Sequence, residues 1–99
     1  MKQYCVYILT NKNNTVLYTG FTSDLLKRIY QCKTKYFKKS FTSKFNCDKL
    51  VYFENCQSSE ESIVREKQLK GGSRAKKIAL INKENPEWSD LSEGWLFDV

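Results

Sequence analysis

The first apolar stretch of the chain constrains its fold more than any other feature. Residues 3–10 (QYCVYILT) form a continuous apolar and β-branched run, which is typical of a strand buried on both faces of a sheet. Asn11 to Asn14 follow with side chains that favour turns, and residues 16–20 (VLYTG) have the composition of a returning strand. We therefore expect a β-hairpin whose first strand is central in its sheet.

Helical spacing follows the hairpin. Leu25, Ile29 and Cys32 recur at intervals of four and three residues behind the capping side chains of residues 22–24. This pattern predicts a helix over residues 23–33. Residues 34–48 are polar and basic without a clear period, as in a surface loop or a short irregular helix.

The second half of the chain predicts one more strand and two more helices. Residues 49–54 (KLVYFE) have strand composition, and a capping box at residues 58–61 (SSEE) begins a helix that Gly71-Gly72 ends. A third helix is capped by Ser73 and stops near Asn85-Pro86. The fold class is therefore α+β: a small three-stranded antiparallel sheet flanked by helices, in the order β-β-α-β-α-α.

Chain length and segment composition indicate one domain. The 99 residues suffice for one modest core, which we assign to residues 1–86, with an acidic and aromatic tail over residues 87–99 packed on the same domain. No apolar run approaches the ~18 residues of a membrane span, and the first residues lack a signal-peptide pattern. We therefore expect a cytoplasmic protein without a membrane partner. The four cysteines lie far apart and His is absent, so we expect free thiols and no zinc or redox site.

Positive charge is concentrated in the middle of the chain. Seventeen Lys and Arg against eleven Asp and Glu give a formal charge of +6. Residues 27–44, here called the basic strip, contain no acidic residue. The cations of the strip are Lys27, Arg28, Lys33, Lys35, Lys38, Lys39 and Lys44, interleaved with Tyr30, Tyr36, Phe37 and Phe41. This composition favours phosphate binding and a nucleic-acid partner, although lysine-rich stretches are also ordinary solvated faces.

A set of residues at fixed intervals indicates a family. Cys5-Val6-Tyr7 is followed after ten residues by Tyr18-Thr19-Gly20, with Arg28 on the first helix, Glu66 in the middle of the second, and Asn85 near the end of the third. This pattern resembles that of the GIY-YIG nucleases, in which the two halves of the signature lie on neighbouring strands. The segments TSDLLKR, KLVYFE, REKQLK and NPEWSDL are also similar to small stand-alone proteins of that family. The resemblance covers nearly the whole chain.

The resemblance implies an endonuclease that hydrolyses phosphodiester bonds, in DNA more than in RNA, with structure-specific cleavage in repair or recombination as one setting. Tyr7 would be the first choice of general base, with Tyr18 close behind. Arg28 would stabilise phosphate charge, and Glu66 would hold one Mg²⁺ or Mn²⁺. A phenol with a pKa near ~10 needs adjacent positive charge to act as a base at neutral pH. Further substrate-binding candidates are Gly20, Lys27, Lys33, Lys35, Lys38, Lys39, Lys70 and Asn85.

Several alternatives stay open. Glu66 and Lys70 are spaced i,i+4, and a surface ion pair would account for Glu66 without a metal. Asn85 would hold a product-side phosphate or support the fold. Cys32 stands four residues after Arg28, where the family usually has His or Tyr, and a thiol is a less directional substitute.

Two other functions follow from these alternatives. The first is a catalytically degenerate module that binds DNA or RNA through the basic strip without cutting. The second is an adaptor that docks a partner protein through an aromatic patch in its tail, made of Trp88, Trp95, Leu96 and Phe97. A catalytic domain of this size would also take its specificity from a protein partner, and the sequence leaves the oligomeric state open.

Overall fold

The apolar run at the start of the chain is the central strand of the sheet. The computed structural model describes residues 3–95. Strand β1 (Tyr4–Thr10) pairs antiparallel with β2 (Leu17–Thr22) on one side and with β3 (Lys49–Cys56) on the other. The strand order is β2-β1-β3. The predicted three-stranded antiparallel sheet and its central first strand are confirmed.

Four helices surround the sheet in the described residues. They are α1 (Leu25–Lys33), α2 (Phe41–Lys44), α3 (Ser59–Gly71) and α4 (Arg74–Glu84). Each begins behind a polar side chain that accepts a backbone N–H of its first turn, as Asp24 does for α1, because these N–H groups have no partner within the helix. No helix in residues 3–95 is long and apolar enough to cross a membrane.

Alternation along the strands divides the core between the two faces of the sheet. Tyr7 and Leu9 pack with Ile29 of α1 on one face, whereas Ile8 packs with Ile81 of α4 on the other. A register shift between Ile8 and Leu9 leaves Val51 of β3 as an extra residue. β1 is therefore covered on both faces, which is why it is apolar throughout.

Element boundaries differ from the predicted ones mainly at strand ends. β2 continues past Gly20 to Thr22, and β3 continues to Cys56. Thr22 pairs with Cys5 and Cys56 pairs with Tyr4, so the long central strand extends its neighbours beyond their local strand composition. The polar segment at residues 34–48 contains the short helix α2. A short helix was one of the two structures expected for this segment, the other being a surface loop.

The segment after α4 lies against β3 and α1. Asp90 Oδ1 accepts the N–H of Leu50 at 3.2 Å, and the N–H of Leu91 donates to the Leu50 carbonyl at 2.7 Å. Trp88 and Trp95 are partly buried against different core clusters, so within the described residues they do not form the shared exposed patch that an adaptor would need. Leu96 and Phe97 lie outside the described residues.

Candidate active site

A hydrogen bond joins two of the predicted catalytic residues across the sheet and its first helix. Tyr7 points from β1 towards α1 and is only 1% exposed. Arg28 lies in the first turns of α1, and its Nε donates to Tyr7 Oη at 2.9 Å. A guanidinium carries five N–H donors, so this bond orients the group while its two Nη atoms keep four donors for an anion.

Gly20 provides the space that the Tyr7 ring occupies. The two residues are paired directly across β1 and β2. A Cβ at position 20 would lie 2.6 Å from Tyr7 Oη and 2.8 Å from Cζ, both far inside van der Waals contact. Glycine is therefore needed at this position because a side chain would occupy the space of the Tyr7 ring.

Tyr18 connects this pair to Glu66. The rings of Tyr7 and Tyr18 have centroids 6.4 Å apart, and Lys70 Nζ lies 5.9 Å from the Tyr18 ring centroid, within the range of a cation–π contact. Lys70 Nζ also lies 3.6 Å from Glu66 Oε2. A chain of contacts from β1, β2, α1 and α3 thus links Arg28, Tyr7, Tyr18 and Glu66.

Burial controls the protonation of Tyr7. Loss of solvation raises the pKa of its phenol to about 12, although the hydrogen bond and the charge of Arg28 act in the opposite direction. The expected positive charge beside the phenol is therefore present as Arg28, but it lowers the pKa less than burial raises it. In the protein alone, Tyr7 is a neutral phenol at physiological pH.

Cys32 is part of the core beneath Arg28. It is 2% exposed and packs in the cluster that contains Tyr7 and Ile29. Burial raises the pKa of its thiol, which also hydrogen-bonds the side chain of Thr42. A neutral, enclosed thiol cannot replace the proton-transfer chemistry of a histidine.

Glu66 forms the i,i+4 ion pair with Lys70 that was the alternative to a metal ligand. Its side chain is 16% exposed and that of Lys70 is 50% exposed, so the carboxylate is covered more than in an ordinary surface ion pair. No group of three His, Cys, Asp or Glu side chains in residues 3–95 could hold a metal. A single carboxylate suits Mg²⁺, which usually keeps several waters and takes one or two protein carboxylates together with substrate phosphate.

The predicted substrate-binding residues fall into two groups. Lys27 lies with Arg28 on the wall of a cleft of about 820 Å³, and Lys38 and Lys39 are exposed. The others have partners within the protein. Lys33 binds Asp90 at 2.6 Å and the Asp48 carbonyl, Lys35 binds Asn46, and Lys70 pairs with Glu66.

Asn85 holds the chain after α4 in place. It is 6% exposed, and its side-chain amide donates to the carbonyls of Val51 and Ser89 at 3.1 and 2.9 Å. Its Oδ1 accepts the N–H of Ser89 in return. These contacts are those of a residue that supports the fold, which is the second of the two roles expected for it.

Two aromatic residues lie beside the site: Phe41, which was named as part of the basic strip, and Phe45, which was not identified from the sequence. Phe41 stacks on Tyr18 with centroids 5.7 Å apart, and Phe45 lies 4.6 Å from Phe41. Their i,i+4 spacing behind the capping residue Ser40 is a signal that would have placed both rings on one helical face.

Comparison with known proteins agrees with this arrangement. The family model described as the GIY-YIG catalytic domain matches residues 3–79, which contain the two tyrosines, Gly20, Arg28 and Glu66. The chain belongs to the GIY-YIG family. Its relatives include a UPF0213 protein of Syntrophus aciditrophicus, 38% identical over 87 residues that make up 88% of this chain and 98% of that protein. A UPF0213 protein of Staphylococcus saprophyticus is 34% identical over 84% of this chain and 99% of its own length.

A solved structure supports the α+β fold. The solution NMR structure of a UPF0213 protein from Bacillus halodurans superposes with a TM-score of 0.56 at 28% identity, over 95% of this chain and 98% of that one. GIY-YIG domains are nuclease domains, and membership supports an endonuclease-like function. The family generally uses divalent metal ions, and its chemistry implies binding of nucleic acid.

Proposed function

We propose that this GIY-YIG domain is a metal-dependent endonuclease that hydrolyses phosphodiester bonds, in DNA more than in RNA. The observation that carries the proposal is the 2.9 Å hydrogen bond between Arg28 and Tyr7. It sets a guanidinium, with most of its donors unused by that bond, beside a tyrosine pair connected to Glu66. Cleavage at branched or flapped DNA in repair or recombination is the setting we favour.

Each residue of this group has a distinct task. Arg28 would bind two non-bridging phosphate oxygens through its Nη groups and stabilise the negative charge that grows as water attacks phosphorus. Tyr7 orients Arg28, and Tyr7 or Tyr18 would accept the proton of the attacking water. Glu66 would hold Mg²⁺ or Mn²⁺, which supplies charge stabilisation to the phosphate and to the departing 3′ oxygen.

Of the proposed catalytic residues, Arg28 is the one that lines the cleft in the described part of the chain. Arg28 and Lys27 line the open cleft, so a phosphate can reach the guanidinium from solvent without displacing the core. Lys38 and Lys39 are exposed on the same basic strip and would hold neighbouring phosphates. Lys33, Lys35 and Asn85 have internal partners and are left out of the proposed phosphate contacts.

Cleavage of labelled substrates by the purified full chain tests the proposal. Single-stranded, duplex, flap and branched DNA and RNA are incubated with Mg²⁺ or Mn²⁺, and we expect metal-dependent cutting that Glu66→Ala and Arg28→Ala abolish. Glu60→Ala is the matched control, because Glu60 is an exposed carboxylate in the first turn of the same helix. If Glu66→Ala cuts as fast as wild type, Glu66 is not the metal ligand.

A second candidate function rests on Cys32 and Tyr7. The enclosed thiol at the usual His or Tyr position, together with the raised pKa of Tyr7, favours a degenerate module that binds nucleic acid without cutting. In that case no variant cuts, all bind, and affinity falls steeply between low and moderate salt. Binding that does not depend on salt would contradict a phosphate-binding strip.

A further inference from the structure

Two phenylalanine rings next to Tyr18 are exposed to solvent. Phe41 is 44% exposed and Phe45 is 47% exposed. In the turn before them, Tyr36 and Phe37 are 66% and 50% exposed. Within the described residues these rings contact other rings, Phe41 with Tyr18 and Phe45, and Tyr36 with Phe37, and each ring still keeps a solvent-exposed part. A cluster of exposed apolar rings on a small protein marks a binding surface more often than chance exposure does.

The helix that carries the two phenylalanines is fixed to the core. Ser40 accepts the N–H of Ser43 at 3.3 Å and so caps α2. Thr42 and Ser43 are buried, and the N–H of the fully buried Cys47 donates to the Thr42 carbonyl at 2.8 Å. The rings are thus held outward on a rigid support, so a ligand that stacks on them would not have to order the helix first.

The exposed rings continue inward to the candidate active site. Ring centroids are 4.6 Å apart for Phe45 and Phe41, 5.7 Å for Phe41 and Tyr18, and 6.4 Å for Tyr18 and Tyr7. Phe41 and Tyr18 are stacked, with 29° between their planes. A chain bound along these rings would have its backbone beside the tyrosines and Arg28.

The positive charge around the rings favours a polyanionic ligand. Lys38, Lys39 and Lys44 are exposed and lie within three positions of Phe41 in the sequence, and the basic strip contains no acidic residue. A second copy of the chain would bring another cationic face of a protein with a charge of +6, which electrostatic repulsion disfavours. Phosphates with aromatic bases between them match both the charge and the rings.

We propose that Phe41 and Phe45 form a stacking platform for unpaired bases. The nucleic-acid strand that crosses α2 would therefore be single-stranded. Bases within a duplex are stacked on each other and present only their edges, so they cannot stack on the platform. This inference rests on the proposed function. It narrows the substrate class to a single-stranded segment, either free or at the end of a duplex.

Binding of matched oligonucleotides in a buffer with EDTA tests the platform without cleavage. Fluorescence anisotropy compares a labelled 12-nucleotide single strand, its duplex, and an abasic strand of the same length that keeps the phosphates. We expect the double variant Phe41→Ala/Phe45→Ala to lose about tenfold or more in affinity for the single strand, or about 1.4 kcal/mol. Its affinity for the duplex and the abasic strand should stay within about twofold.

Three further variants separate stacking from folding and from charge. Phe41→Leu/Phe45→Leu keeps apolar bulk at both positions and should show the same selective loss. Phe21→Ala truncates another exposed ring, 39% exposed on β2, and should leave single-strand binding unchanged. Lys38→Ala/Lys39→Ala should weaken all three ligands alike and reduce the dependence on salt.

The possible outcomes distinguish this inference from the proposed function. Two outcomes would refute the platform while wild type still cuts DNA. In the first, the phenylalanine variants bind the single strand as tightly as wild type does. In the second, they lose the same affinity for the single strand and for the abasic strand. Self-association that the double variant abolishes would identify a second copy as the occupant and overturn the platform. If wild type binds no nucleic acid, both proposals fail.

Discussion

The close approach of Gly20 to Tyr7 gives a direct test of how the site is built. A Cβ at position 20 would lie 2.6 Å from Tyr7 Oη. Because Tyr7 is 1% exposed, its ring has no solvent into which to move. We expect Gly20→Ala to lower the free energy of unfolding by about 1–3 kcal/mol, the usual cost of overpacking a core. The corresponding fall in Tm is roughly 4–8 °C for each kcal/mol.

Displacement of the ring would also break the hydrogen bond between Arg28 and Tyr7. Tyr7→Phe removes that bond directly and should cost about 1.5–3 kcal/mol, as for other hydrogen bonds to charged groups. In the double variant the contact at Oη is relieved, the contact at 2.8 Å with Cζ remains, and the hydrogen bond is lost only once. The cost of the double variant should therefore be less than the sum of the single costs, by about 0.5–3 kcal/mol.

Urea unfolding followed by circular dichroism measures wild type, the two single variants and the double variant. Gly71→Ala is the control, because a Cβ at that position meets nothing within 4 Å. Its position in α3 should make alanine neutral or stabilising by up to about 1 kcal/mol. A Gly20→Ala variant as stable as wild type would refute the steric conflict with Tyr7, as would single costs that add to within about 0.5 kcal/mol.

Three further predictions concern protonation and thiol reactivity. The hydrogen bonds of Arg65 hold the pKa of Glu54 below its ordinary value of 4.5, so the stability from this pair is fully present above about pH 4.5 and is lost as the pH falls through the lower folded-state pKa. In urea unfolding, Glu54→Gln should remove about 1 kcal/mol of the acid dependence of wild type, and an unchanged pH profile would contradict this. Burial raises the pKa of Tyr7 to about 12. If Tyr7 is the base in the cleavage step, kcat/KM should rise about tenfold per pH unit between about pH 7 and pH 9. A plateau in that range would exclude Tyr7 as the base. Cys56 is the least buried of the four free cysteines, and we expect at most one thiol to react quickly with Ellman's reagent before denaturation, whereas fast reaction of several would contradict the packing.

The parts of the fold that the sequence predicted are those where local and tertiary preferences agree. β1 is apolar throughout and is buried on both faces, and the capping oxygens of Asp24, Ser58 and Ser73 begin the helices. The ends of β2 and β3 were not predicted because they are set by pairing with β1. The local composition at Thr22 and Cys56 does not indicate that the strands continue to these residues.

The order of the site residues along the chain could be predicted, but their environments could not. The spacing of Lys33 and Asn85 is the same whether they face phosphate or the protein. Lys33 is held internally by the carbonyl of Asp48 and by Asp90, which is 57 positions away in the sequence and 2.6 Å away in space. Pairing over such a separation depends on how the segment after α4 returns to β3, and no local pattern encodes that return.

The burial of Tyr7 also bears on which tyrosine takes the proton. A phosphate bound to Arg28 would partly neutralise the one charge that lowers the pKa of Tyr7, so substrate binding moves this phenol further from the phenolate. Tyr18 is half-buried, whereas Tyr7 is only 1% exposed, so a water molecule can reach Tyr18 more readily than Tyr7. We therefore infer that Tyr7 orients Arg28 and that Tyr18 would be the better placed proton acceptor. Tyr18→Phe should then lower cleavage more than it lowers binding, whereas Tyr7→Phe should weaken both.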